Sequence, residues 1–178
     1  MTDRALKTAA GIIGAGFLIE AISFFLFSGS IGPVLPAFAC IAAVAYQATG
    51  EREARDTSGY IKAGLLGLAA GILSVPFAGT AEAAMGGIIA SPAGTLSALA
   101  VFSEMNKNGE ERFSPFFSVF SGSMIAGMFI MTAGLAGTGL SSPGFILREF
   151  TSLLLISLIA GIFSQGVLIV LKKKNQID

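Results

Sequence analysis

The stretch TAAGIIGAGFLIEAISFFLFS, residues 8–28, decides the fold class of this protein. It is an apolar run of the length that an α-helix needs to cross the hydrocarbon core of a bilayer, about 20 residues for about 30 Å. The apolar region of a secretory signal is shorter, about 7–15 residues. We therefore predict that residues 8–28 form a retained membrane span.

The composition extends this prediction to the whole chain. Of the 178 residues, 53% are hydrophobic and 12% are charged, whereas a soluble domain carries about twice that charged fraction. The sequence thus predicts an all-α polytopic membrane protein, with residues 1–178 forming a single integral membrane domain of about six transmembrane helices. The predicted spans are 8–28, 31–48, 60–78, 81–103, 114–136 and 145–171.

The connections between these spans alternate in charge. Segments 28–33, 77–81 and 138–144 are uncharged, whereas segments 50–62 and 104–112 contain both acidic and basic residues. In a six-span topology, every Lys and Arg except Arg148 lies on the side that holds the two charged loops. Because Lys and Arg accumulate on the cytoplasmic side of membrane proteins, we predict that both termini are cytoplasmic. The expected location is a prokaryotic cell membrane.

A faint internal repeat is present. Residues 10–23 and 63–76 both begin with AG, two apolar residues and a glycine, and each opens a pair of predicted spans. GERE (50–53) follows the first pair and GEER (109–112) follows the second. The pattern favours three stacked helical hairpins as the building unit, with chance similarity between glycine-rich helices as the alternative.

Small residues recur at helical intervals in several spans. In lipid there is little hydrophobic driving force between helices, so close backbone contact must hold them together. We expect these residues to pack helices against one another, within the bundle or between two copies of the chain. The residues are Gly14, Gly16, Ala63, Gly67, Gly71, Gly122 and Ala126.

Glu20 places a carboxylate inside the first span. An ionised carboxylate that faces lipid costs at least a few kcal/mol, and the helical neighbours Gly16 and Ser23 are small. We therefore expect Glu20 to face another helix and to be neutral, paired or wetted by a cavity. It belongs either to a proton, cation or substrate site or to a structural hydrogen bond between helices.

Three further charges fall in the same, outer half of the predicted bundle. Glu82 begins the fourth span, and Arg148 and Glu149 begin the sixth. Together with Glu20 they form a candidate polar site, in which Arg148 is the available partner for Glu20 or Glu82. For Glu82 and Glu149, simple solvation at the level of the lipid headgroups is the alternative.

Ser91 and Pro92 interrupt the fourth span near its middle and complete the candidate site. A proline removes one backbone hydrogen bond from a helix. In transporters, broken helices expose backbone groups to a substrate or ion, whereas in other membrane proteins a proline only kinks the helix. Both alternatives are open from the sequence.

The absent residue types exclude several function classes. The chain has no His, one Cys (Cys40) and no GxSxG, HExxH, CxxC or P-loop motif, so we expect no enzyme activity, metal or cofactor. A net charge of zero gives no support for binding nucleic acid. The expected partners are the bilayer and a further membrane protein or a second copy of the chain.

The expected function is transport of a small solute or ion through the outer polar site. The alternative is a non-catalytic membrane subunit, or an assembly or anchoring protein, whose charges within the membrane are structural.

Overall fold

The computed structural model describes residues 2–27, 34–49, 57–109, 112–138 and 142–175. In these residues the chain forms six α-helices, one 3-10 turn and no strand. Five of the helices are long and apolar enough to cross a membrane, and α2 is apolar but shorter. The prediction of an all-α polytopic membrane protein with about six helices is confirmed. The helices are α1 (Thr2–Phe27), α2 (Val34–Thr49), α3 (Thr57–Ser74), α4 (Ala81–Lys107), α5 (Ser114–Thr138) and α6 (Pro143–Asn175), and the 3-10 turn is Val75–Phe77.

The short helix α2 is the centre of the bundle. Its 16 residues rise only about 24 Å, less than the thickness of a bilayer core, and every residue from Val34 to Gln47 except Phe38 is buried. It contacts each of the other five helices. Alanine side chains make this possible, because they leave room for neighbouring backbones. They are Ala37, Ala39, Ala42, Ala43 and Ala45.

The other helices surround α2 and turn large apolar side chains outward. Leu18, Phe25, Ile159 and Ile162 are among the exposed residues of this kind. A soluble protein rarely exposes a contiguous apolar surface of this extent. The outward faces of α1 and α6 are therefore suited to contact with lipid.

Glycines bring α3 and α4 into direct backbone contact. A Cβ atom added at Gly71 would lie 2.7 Å from the carbonyl oxygen of Gly87 and 2.8 Å from Cα of Ile88. One added at Gly67 would lie 2.8 Å from Cα of Pro92. Any side chain at either position would push the two helices apart, so the two glycines predicted to pack helices lie at a contact that needs them.

Three other predicted packing residues also lie at helix contacts. A Cβ added at Gly122 on α5 would lie 2.5 Å from the carbonyl oxygen of Gly94 on α4, and Ala126 lies beside Gly94 in the same contact. A Cβ added at Gly16 on α1 would meet Phe38 of α2.

Ala63 and Gly14 differ in their surroundings. Ala63 is fully buried in a cluster with Ala43 and Leu99. Gly14 is exposed, and an added Cβ would meet nothing within 4 Å. Gly14 therefore lies outside the helix contacts, because it is on the outward face of α1, and its predicted packing role within the bundle is not found.

The helices of each predicted hairpin contact one another: α1 with α2, α3 with α4, and α5 with α6. The contacts do not stop at the hairpins, because α4 also packs on α5 and α2 packs on every other helix. The hairpins thus share one core.

Candidate functional site

Two cavities lie at opposite ends of α2. The Glu20-end cavity has a volume of about 180 Å³, and each of the six helices contributes at least one lining residue. Its lining includes Glu20, Pro36, Ser74, Gly87, Ile130 and Glu149. The Gln47-end cavity is larger, about 730 Å³, and lies where α2 and α4 end and α5 begins. The two sets of lining residues show that consecutive helices run in opposite directions.

Glu20 reaches the first turn of α2. Its side chain is 3% exposed, and its Oε2 accepts a hydrogen bond of 2.8 Å from the backbone N–H of Leu35. Leu35 is the second residue of α2, and the first N–H groups of a helix have no acceptor within the helix. The carboxylate of α1 therefore caps α2 at the end where the helix dipole is positive.

This cap explains why the carboxylate is tolerated between apolar helices. The first turn of α2 has no acidic residue of its own, and Pro36 has no N–H to satisfy. In the described part of the chain, the second carboxylate oxygen, Oε1, has no hydrogen-bond partner. One oxygen of Glu20 thus has a structural contact and the other is free to meet a solute in the cavity.

Glu149 lines the same cavity from α6. Its side chain is half-buried, so the fold brings carboxylates from the first and the last helix to one site. Ser74 adds a hydroxyl, which donates a hydrogen bond of 2.7 Å to the carbonyl of Gly71. Two of the four predicted charged residues are therefore brought together.

Arg148 and Glu82 are not part of this cavity. Both side chains are exposed, neither lines the cavity, and neither has an ion-pair partner among the described residues. The expected pairing of Arg148 with Glu20 or Glu82 is not found. Successive residues of a helix point about 100° apart, so when Glu149 faces the bundle, Arg148 turns away from it.

Helix α4 passes through Pro92 without a break. It is one α-helix from Ala81 to Lys107 with the proline inside it, so the broken-helix alternative is wrong. Ser91 is fully buried and Pro92 is partly buried, at the contact with Gly67 of α3. Neither residue lines the Glu20-end or the Gln47-end cavity, because close packing of α3 against α4 fills the place where a break would open.

Two buried hydroxyls lie between the cavities. The Oγ atoms of Ser91 on α4 and Ser157 on α6 are fully enclosed and have no hydrogen-bond partner among the described residues. Ser157 is eight residues from Glu149 of one cavity and eight from Gln165 of the other. At 1.5 Å per residue this places it about 12 Å along the helix from each.

The Gln47-end cavity was not predicted from the sequence. Gln47 is 5% exposed, and its Oε1 has no partner in the described part of the chain. Lys107 and Arg112 line the cavity with the polar side chains of Asn106 and Gln165. Two amide side chains were the available signal: Gln47 is at the end of the predicted span 31–48, and Gln165 is inside the predicted span 145–171.

Side-chain hydrogen bonds tie the helices together around this cavity. Ser114 donates to Oδ1 of Asn106 at 2.8 Å, and Nε2 of Gln165 donates to the carbonyl of Arg112 at 3.1 Å. The guanidinium carbon of Arg112 lies 5.5 Å from the centre of the Phe113 ring. The ends of α4 and α6 and the start of α5 are thus held around one space.

A comparison with models of protein families, with characterised proteins and with solved structures found no match. Among the described residues, no group of three or more His, Cys, Asp or Glu side chains could hold a metal ion.

Proposed function

We propose that the protein transports a small solute or ion across the membrane through the Glu20-end cavity. The observation that carries this proposal is that Glu20 and Glu149 line one cavity at the N-terminus of a buried helix. Carboxylates inside a membrane domain are costly and are therefore most often found at substrate, ion or proton sites. The topology predicted from the basic residues places this cavity on the outer side.

The lining favours a small cation or protonated amine over an anion. It contains two carboxylates and the hydroxyl of Ser74, and no Lys or Arg among the described lining residues. A volume of about 180 Å³ is below the roughly 300–1,000 Å³ of pockets for drug-sized ligands. It corresponds to only a few molecules of water, each of which occupies about 30 Å³ in the liquid.

A solute that crossed the bundle from this cavity to the other would pass two buried hydroxyls. Buried polar groups are normally hydrogen-bonded, yet the hydroxyls of Ser91 and Ser157 lack partners among the described residues. Both residues are on helices that line the two cavities. They are candidates for transient contacts with a passing solute.

The alternative is a non-catalytic membrane subunit in which Glu20 is structural. The hydrogen bond from Leu35 to Glu20 favours it, because a cap on α2 accounts for the carboxylate without any solute. The two alternatives differ in whether the negative charge or only the hydrogen-bond acceptor at residue 20 is needed.

The test uses the full chain in proteoliposomes. Uptake of H⁺, Na⁺, K⁺ and methylammonium is measured separately under an imposed gradient, against liposomes without protein. Glu20→Gln keeps an oxygen that can accept from Leu35 but removes the charge. Glu149→Gln removes the second carboxylate, and Glu82→Gln is the matched control, because Glu82 is an exposed carboxylate outside the cavity.

Transport predicts that at least one of these cations is taken up. The uptake rate of that cation should fall at least tenfold in Glu20→Gln and in Glu149→Gln. It should stay near the wild-type rate in Glu82→Gln. If none of the four cations moves faster than in empty liposomes, the proposal of cation transport is wrong. An unchanged uptake rate in Glu20→Gln, with a loss of stability only in Glu20→Leu, would show that Glu20 only caps α2 and that the cation does not pass through this cavity.

A further inference from the structure

The Gln47-end cavity has a polar wall and an apolar wall. Lys107, Arg112 and Gln47 are on the polar side, whereas Leu168, Ile169 and Phe113 supply apolar surface. Its volume of about 730 Å³ is within the usual range for ligand sites. It is separate from the Glu20-end cavity, and its assignment does not depend on transport.

The polar wall is suited to an anion. Lys107 and Arg112 supply two cationic groups, and guanidinium groups match the geometry of phosphate oxygens. Lys107 has only a loose contact of 3.8 Å with Glu104, between two largely exposed side chains, and Glu104 does not line the cavity. Because Oδ1 of Asn106 accepts from Ser114, the amide NH₂ of Asn106 remains as a further donor.

Gln47 requires a hydrogen-bond donor, which an inorganic anion without a hydroxyl lacks. Its side chain is almost fully buried, and Oε1 is an acceptor without a donor among the described residues. A buried acceptor without a partner is unfavourable, because it loses its hydrogen bond to water and gains none in return. A ligand with a hydroxyl beside its anionic group satisfies Gln47, once rotation of this side chain turns Oε1 towards the cavity, together with the two cations.

The apolar wall opens towards the lipid. Ile169 is 66% exposed and Phe113 is 55% exposed, and both line the cavity. In a membrane domain, exposed apolar side chains of this size face acyl chains. The basic residues predict that this end of the bundle is at the cytoplasmic leaflet, which carries anionic lipid in many membranes.

We propose that the Gln47-end cavity binds the phosphate-bearing headgroup of an anionic phospholipid with a hydroxylated headgroup. Lys107 and Arg112 hold the phosphate, and Gln47 accepts a hydrogen bond from the headgroup hydroxyl. The acyl chains leave the cavity past Ile169 and Phe113. The site recruits lipid to the point where α4, α5 and α6 meet α2.

The test measures lipid binding by the purified, delipidated full chain with native mass spectrometry. Phosphatidylglycerol is compared with phosphatidylethanol, which has the same charge but no headgroup hydroxyl, and with zwitterionic phosphatidylcholine. Glycerol 3-phosphate distinguishes a lipid from a soluble phosphate. The variants are the double change Lys107→Gln and Arg112→Gln, and separately Gln47→Leu.

The matched control is the double change Lys62→Gln and Lys173→Gln. It removes the same charge from two basic residues that do not line the cavity. Circular dichroism and elution as a single species verify that each variant is folded. A variant that fails this check is replaced by the corresponding single change, Lys107→Gln or Arg112→Gln.

The proposal predicts that phosphatidylglycerol binds at least tenfold more tightly than phosphatidylcholine. Two bases near a membrane surface at about 1 kcal/mol each correspond to an approximately 30-fold weaker affinity in the cavity double variant. The control should change affinity by less than about threefold. Gln47→Leu should abolish the preference for phosphatidylglycerol over phosphatidylethanol, which we expect to be about fivefold to tenfold in the wild type.

Three results would overturn the proposal. Equal affinity for phosphatidylglycerol and phosphatidylcholine would exclude a site for anionic headgroups. Displacement of the lipid by millimolar glycerol 3-phosphate would assign the cavity to a soluble phosphate compound. Equal losses in the cavity and control variants would show that binding depends only on the overall surface charge.

Discussion

The two ends of α2 have opposite chemistry. At its N-terminus a small cavity is lined by carboxylates, and the backbones of α3 and α4 touch beside it. At its C-terminus a cavity about four times larger is lined by Lys107, Arg112 and amide side chains. The acidic side chains are thus at one end of the central helix and the basic side chains are at the other.

The difference follows from the dipole of a buried helix. A helix carries about half a positive charge at its N-terminus and half a negative charge at its C-terminus, and these are poorly screened where water is excluded. Helix α2 has no acidic residue in its first turn and no basic residue in its last. Glu20 of α1 supplies an acceptor for the first turn of α2, and Lys107 and Arg112 supply basic groups to the cavity at the other end.

Substitution of Glu20 should have the largest effect on this arrangement. Glu20→Leu removes the acceptor of the Leu35 N–H, and a buried donor without a partner costs about 1–3 kcal/mol. We expect a loss of ~3 kcal/mol in the free energy of unfolding, measured in mixed detergent micelles. Glu20→Gln keeps an acceptor and should lose less than ~1 kcal/mol. Equal losses would mean that charge and not the cap stabilises α2.

Alanine substitutions at two glycines of α3 compare the packing at the two ends of α2. An alanine Cβ at Gly71 would lie 2.7 Å from the carbonyl oxygen of Gly87, whereas at Gly64 the nearest atom is a methyl carbon of Leu96 at 3.9 Å. Overpacking typically costs about 1–3 kcal/mol. Gly71→Ala should therefore lower the free energy of unfolding by ~2 kcal/mol. Gly64→Ala should be neutral or slightly stabilising, since alanine favours the helix.

Thermal unfolding of the two variants in the same detergent measures this difference. It also tests whether the Glu20 end is the tightly closed end. If Gly64→Ala lowers stability as much as Gly71→Ala, the contrast in packing between the two ends is absent.

Substitution of Gln47 should have the smallest effect on the free energy of unfolding, and the effect should be an increase. Its Oε1 is buried without a partner in the described part of the chain, so Gln47→Leu should raise the free energy of unfolding by ~1 kcal/mol in delipidated protein. Added phosphatidylglycerol should stabilise the wild type and so reduce this gain, because the lipid hydroxyl then satisfies Gln47. A destabilised Gln47→Leu variant would show that the amide already has a stabilising partner.

Much of the fold could be predicted from the sequence because lipid imposes strict rules on length and polarity. The predicted spans 60–78 and 114–136 correspond to α3 with its 3-10 turn and to α5 within a few residues. Whether Pro92 breaks α4 or lies within a continuous helix could not be decided from the sequence. A proline removes one hydrogen bond but does not determine whether neighbouring helices hold the backbone in place.

The candidate site could be predicted only in part. The small neighbours of Glu20 correctly indicated that its carboxylate faces another helix. The sequence could not show whether Arg148 or Glu149 faces the bundle. The two residues are neighbours near the start of α6, and the rotation of this helix about its axis decides which one turns inward. The Gln47-end cavity was missed because its lining comes from segments far apart in the chain.

The sequence by itself determined the number of helices, the segments that form them and the alternation of charged and uncharged connections. These follow from local composition, since each apolar run must satisfy its own backbone hydrogen bonds in lipid. Only the tertiary structure decided that the short helix α2 is central and that other helices supply the charges at its two ends. Such placement depends on which small residues allow backbones to meet, as Gly67 and Gly71 do against α4, and no local pattern contains that information.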